Sequence, residues 1–150
     1  LRKGIESLAN SYNEAITALS ASCENITDYR DIQTNRVLKM ISDIEKYIDA
    51  HYMNNNLSNT VIADEFNITG QYLSVLFKKH KGENLQNYIA RVRVDYAKEL
   101  LKSEKYTVFQ IANMVGYSND IGFIRVFKKL EGITPGKYRQ MHINKDFKEE

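Results

Sequence analysis

The stretch FKKHKG, beginning at Phe77, returns fifty residues later as FKKLEG, beginning at Phe127. The echo runs further: Ile62-Ala63 is answered by Ile111-Ala112, Leu73 by Phe123, and Tyr88 by Tyr138. Self-similarity at a fixed period means one supersecondary unit built twice. No other feature of the chain restricts its fold as much.

Apolar spacing and cap residues say what the unit is. Ser58 is placed as the N-cap of a short helix ending near Phe66, and NITG makes a tight turn. Thr69 then caps a helix from Gln71 to about Lys81, which Gly82 ends. The second copy predicts a short helix over Val108 to Val115, a turn at GYS, and a helix from Asn119 to about Glu131, closed by Gly132. Thr134 and Pro135, an N-cap and a first-turn proline, open a last helix through about Met141. Between the copies, Leu85, Tyr88, Ile89, Val92, Tyr96 and Leu100 hold the helical period over Asn84 to about Ser103. Ahead of them a helix is expected from about Arg36 to Met53, with Val37, Ile41, Ile44, Ile48 and Tyr52 inward. Asn54 to Asn56 should stop it, because Asn tolerates the left-handed conformation.

The fold class is all-α: two helix-turn-helix subdomains joined by a long linker helix, with an N-terminal helical segment. Leu1, Ile5, Leu8, Tyr12, Ala15 and Leu19 lay a stripe on a helix to about Ser20. That stripe serves either to pack on an upstream domain or as a dimer seam. Ser20 to Asn35 is polar and reads as a boundary, with a short strand around Ile26 to Tyr29. Residues 1–35 are thus the tail of an upstream regulatory domain or a linker helix, 36–141 the doubled unit, and 142–150 a polar tail. The first residue is Leu1 rather than Met, so a longer chain is expected, its signal-receiving part upstream.

A short helix, a tight turn and a helix of about eleven residues is the arrangement whose second helix enters the DNA major groove. With Leu73, Leu76 and Phe77 inward, the first such helix turns out Gln71, Ser74, Val75 and Lys78. With Phe123, Val126, Phe127 and Leu130 inward, the second turns out Asp120, Ile121, Ile124, Arg125 and Lys128. Residues near each helix start suit base edges. Lys78, Lys79, Lys81, Lys128 and Lys129, nearer the ends, suit phosphates, which supply affinity rather than sequence information. Lys79 and Lys129 point either to phosphate or to water. Charge agrees: residues 71–140 carry 13 Lys/Arg against 6 Asp/Glu, a net of +7, while residues 1–70 carry 6 against 10. A linker of about 20 residues is roughly 30 Å long, close to the roughly 34–36 Å between successive major-groove entries on one face of the duplex. Two copies would then fill two grooves.

The stretches YLSVLFKKHKGENLQNYIARVRVDYAKELL and IANMVGYSNDIGFIRVFKKLEGITPGKYR carry a resemblance. From about Leu57 to Arg139 the chain resembles the DNA-binding domain of the AraC/XylS transcription regulators. The match lies in Ile-Ala, Gly-aromatic-Ser, Phe-x-Arg-x-Phe-Lys-Lys, Gly-x-Thr-Pro and Tyr-Arg. The resemblance implies a bacterial activator or repressor reading an asymmetric site on double-stranded promoter DNA. It implies base contacts at Gln71, Ser74, Val75, Asp120, Ile121, Ile124 and Arg125. The chain departs from the family at Ile121 and Ile124, where small or polar residues are frequent, and at Gly122, where an aromatic is common. The isoleucines serve either to touch thymine methyl groups or to pack on a neighbouring helix. SYNEAITAL and DYRDI resemble the closing helix and strand of sensor domains that precede some such regulators.

Other classes find little support. His51, His80 and His142 lack partners at metal-ligand spacing. There is no Gly-rich phosphate loop or nucleophile elbow, and Cys23 is alone in the boundary segment. Neither catalysis nor a metal or other cofactor is expected, and no apolar run approaches the length of a membrane span. The rival reading is a helical module whose basic face meets an acidic protein or RNA. Further expected partners are RNA polymerase and a second copy through the upstream domain; the acidic face of the Arg36 to Met53 helix either meets the polymerase or is simply solvated. Arg91 and Arg93, on the linker, are expected either in salt bridges or on DNA. The expected location is the bacterial cytoplasm, at the nucleoid.

Overall fold

The computed structural model describes residues 32–146, with Glu14 and Thr17 before them. The stripe over Leu1 to Ser20 and the strand around Ile26 to Tyr29 lie outside the described residues. The chain divides into two compact units, Leu1–Ser42 and Asp43–Glu150, and the second carries the whole repeat. The described residues are helical, with no strand among them.

Helix α1 covers 32–51 and buries Ile44 and Ile48. Its exit differs from expectation. None of Asn54, Asn55 and Asn56 has a positive φ. The chain instead turns through Asn54 N to His51 O at 3.0 Å and Leu57 N to Asn54 O at 3.1 Å, while Asn54 Oδ1 accepts from Asn56 N. The left-handed asparagine is Asn67, at φ 53°. It follows α2 (Asn59–Glu65), whose N-cap Ser58 accepts from Val61 N as predicted.

The two turns match. Ile68 N donates to Ala63 O at 3.0 Å in the first, and Tyr117 N to Ala112 O at 2.9 Å in the second. The left-handed residue is Asn67 in one and Gly116, at φ 88°, in the other. Thr69 caps α3 (Gly70–Lys81), which Gly82 ends. Asn119 caps α6 (Asp120–Glu131), which Gly132 ends. Helix α5 (Val108–Met114) has a reciprocal capping box between Thr107 and Gln110, a threonine-glutamine spacing that sequence reasoning overlooked.

Helix α4 spans Leu85–Leu101, 17 residues rather than about 20, so the linker is about 25 Å long. Nor does it present one stripe. Leu85, Tyr88, Ile89 and Val92 are buried in its first half, and Val94, Ala97 and Leu101 in its second. At about 100° per residue the second set lies roughly 160° round the helix from the first. It joins Ile111, Ala112, Val115, Phe123 and Phe127 in the core of the second subdomain. Tyr96, expected inward, keeps the phase of the first set beyond the point where that face is covered. It is 42% exposed and stacks on Tyr52, ring centroids 4.0 Å apart.

Helix α7 (Pro135–Asp146) runs past Met141, so residues 142–146 are helix rather than tail. Tyr138 packs edge-on against Phe127 at 5.6 Å, and Arg139 donates to Tyr106 O at 2.6 Å. No helix among the described residues is long and apolar enough to cross a membrane.

Candidate nucleic-acid interface

Each subdomain fixes its second helix from behind and leaves the other face bare. In α3, Leu73, Leu76 and Phe77 are buried, and Gln71, Ser74, Val75, Lys78 and Lys79 are exposed. Val75 is 63% exposed. Ser74 is exposed but engaged: its hydroxyl donates to Gly70 O at 2.9 Å and accepts from Asn59 Nδ2 at 3.0 Å. Asn59 also donates to Gly70 O. A Cβ on Gly70 would lie 3.2 Å from that amide nitrogen. Asn59, which sequence reasoning did not single out, thus holds the first turn of α3 from α2.

In α6, Phe123 and Phe127 are fully buried, while Val126 is only half-buried. Leu130, expected inward, is 42% exposed, because the second core ends with Phe127. The tail of α6 is held instead by Glu131, paired with Lys98 of α4 at 3.1 Å. On the outer face Asp120 is half-buried, Ile121 is 77% exposed and Arg125 is exposed. Ile124 is half-buried against the second core, so the two isoleucines part company. Asn119 Oδ1 accepts from Gly122 N at 2.8 Å, and a Cβ on Gly122 would press to 3.3 Å on that cap oxygen. Glycine here keeps the cap undisturbed.

The lysines also divide. Among the described residues Lys78, Lys79, Lys128, Lys129 and Arg125 form no ion pair, whereas Lys81 pairs with Glu45 of α1. Tyr88 Oη donates to the same carboxylate at 2.9 Å. Burial alone would raise the Glu45 pKa, but hydrogen bonds from Lys81 and Tyr88 and the charges of Lys81 and Arg91 outweigh it and hold the carboxyl below its ordinary value. Burial, with Glu45 beside it, pushes the Tyr88 phenol well up.

Of the linker arginines, Arg91 pairs with Glu83 at 2.7 Å. Arg93 meets no carboxylate among the described residues. It is buried, and its Nε and Nη2 donate to the carbonyls of Tyr52 and Asn54 at 2.9 and 2.7 Å. Burial lowers its pKa. His51 and His142 sit one turn after Tyr47 and Tyr138, stacked on those rings at 4.1 Å each. No cluster of three metal-ligating side chains occurs among the described residues.

The arrangement offers two capped helices with apolar and hydrogen-bonding groups at their starts and unpaired cations at their ends. Residues 62–141 match the family described as a helix-turn-helix domain. The uncharacterized HTH-type transcriptional regulator YtdP of Bacillus subtilis is 38% identical over 115 residues, which is 77% of this chain and 15% of that protein. The C-terminal domain of the two-component response regulator yesN from Fusobacterium nucleatum superposes with a TM-score of 0.63 at 33% identity, over 65% of this chain and 95% of that one. The DNA-binding domain of AdpA, solved with a target DNA, superposes with a TM-score of 0.66 at 17% identity, over 70% of this chain and 94% of that one.

Proposed function

This chain belongs to the AraC-type helix-turn-helix family of DNA-binding transcription regulators, and from that premise we propose that it seats α3 and α6 in successive major grooves of a bacterial promoter. The observation that carries this reading is the duplication itself: two equivalent capped helices stand in one compact unit, each with a bare outer face. Gln71, Ser74 and Val75 read one half-site. Asp120, Ile121, Ile124 and Arg125 read the other, with Arg125 the group whose fork suits guanine O6 and N7. Ile121 takes the thymine-methyl role, and Ile124 chiefly sets how far α6 stands off its core. Lys78, Lys79, Lys128 and Lys129 neutralise phosphates. Lys81 contributes less, because Glu45 holds it.

If it acts as an activator it would also touch RNA polymerase, through the acidic face of α1, where Asp49 is exposed. Dimerisation, where it occurs, would come through segments upstream of the doubled unit. Selection of bound duplexes from a random pool, followed by footprinting, tests the core of the reading. The expected footprint is about 20 base pairs, with half-sites about one helical turn apart. A single short half-site, or equal affinity for random and selected duplexes, would refute it.

A further inference from the structure

Two readers are useful only if the distance between them is fixed, and the buried Arg93 stands where that distance is set. Its guanidinium reaches from the middle of α4 to the carbonyls of Tyr52 and Asn54, just beyond the end of α1. Its other side faces the ring of Tyr117, 5.3 Å from the centroid. Tyr117 in turn packs on Phe123 of α6, centroids 5.5 Å apart. The turn bearing Tyr117 is pressed closely onto the same stretch of backbone, sharing the Tyr52 carbonyl. A Cβ on Gly116 would lie 2.5 Å from Tyr52 O and 3.0 Å from both Met53 O and Arg93 Nη2. Asn55 Nδ2 adds a bond to Ser118 Oγ at 3.5 Å.

The same α1 is tied to the first reader about two turns earlier, through Glu45 with Lys81 at the end of α3. The region from Glu45 to Asn55 is therefore a brace that meets the tail of α3 at one end and the turn before α6 at the other. We propose that Arg93 is a positioning residue that fixes α6 relative to α3 through this brace, and so sets the gap between half-sites that the protein accepts. The inference rests on the two-groove reading above and deepens it. Arginine suits the place: its rigid planar fork donates from two nitrogens to two carbonyls in a fixed geometry while its charge lies against a ring, whereas a lysine ammonium on a flexible stem has the donors without the fixed geometry.

The test compares the 150-residue chain with its Arg93→Lys and Tyr117→Leu variants on duplexes taken from the random-pool selection. These carry the intact site, either half-site alone, or the intact site with one or two base pairs inserted or deleted between halves. Both variants should bind each isolated half-site within about twofold of the parent. Both should lose about tenfold or more on the intact site, because linked binding fails when geometry forbids simultaneous engagement. Their dependence on the gap should flatten. Equal loss on every duplex would make Arg93 a residue of general stability and overturn the proposal, as would a gap profile unchanged in both variants. Should Arg93→Lys fail to fold by circular dichroism, the Tyr117→Leu profile decides on the same criteria. A parent with no gap preference refutes the two-groove reading and this inference with it, whereas a sharp profile that the variants retain refutes the role of Arg93 alone.

Discussion

Ile121 and Ile124 carry the same side chain three positions apart, and their surroundings give them different work. Water covers Ile121 and the second core backs Ile124. Replacing thymine by uracil beneath the start of α6 removes only methyl groups, so affinity should fall for the parent and not for Ile121→Ala. An equal response in both would end the methyl assignment. Ile124→Ala should instead lower thermal stability, by about 1–2 kcal/mol for a half-buried isoleucine. Arg125→Ala is expected to lose about 1–3 kcal/mol of binding and to relax preference at one base pair only; uniform weakening across sequences would reassign it to phosphate. Gly116 and Gly82 are both left-handed, at φ 88° and 75°, but only Gly116 has protein where a Cβ would go. Gly82→Ala should therefore cost about 1–2 kcal/mol from conformation alone. Gly116→Ala should cost more, as read from the urea midpoints of the two variants.

At the scale of elements, Glu45 joins α1 to α3 and α4, and its depressed pKa makes that junction sensitive to acid. A carboxyl lowered on folding adds stability above its unfolded value, and that stability is lost as pH falls through the folded value. Glu45→Gln should thus be less stable than the parent by about 1 kcal/mol at neutral pH. The gap should close below about pH 4.5, the ordinary carboxyl value; a gap that stays constant down to pH 3 would mean the carboxylate charge contributes nothing. Element order and the caps at Ser58, Thr69 and Thr134 were legible in the sequence because caps are decided within four residues. The bare face of α3 was legible too, since period alone assigns Leu73, Leu76 and Phe77 inward. What period cannot say is which neighbour covers a face. That is why α4 was read with one stripe instead of two, why Tyr96 and Leu130 were placed inside, and why the pairing of Lys81 with Glu45, 36 residues away, was not legible. Arg93 escaped for the same reason, its partners being backbone carbonyls some forty residues earlier.

For the whole molecule, the cations on α3 and α6 that form no ion pair among the described residues, within a stretch of net charge +7, bear on salt. Neutralising six to eight phosphates gives a slope of roughly −5 to −7 in log affinity against log salt. A titration on the selected duplex yielding a slope shallower than about −3 would contradict a two-groove footprint. The opposed faces of α4 reach further, into heredity. One extra residue in that helix would swing everything beyond it through about 100°, tearing the second core from its partners. Phase returns only after about seven residues, which add about 10 Å, close to three base-pair steps. A lineage carrying this linker has no gradual path toward promoters of altered spacing by single-codon insertion. Its binding sites are free to change their letters while keeping their metre.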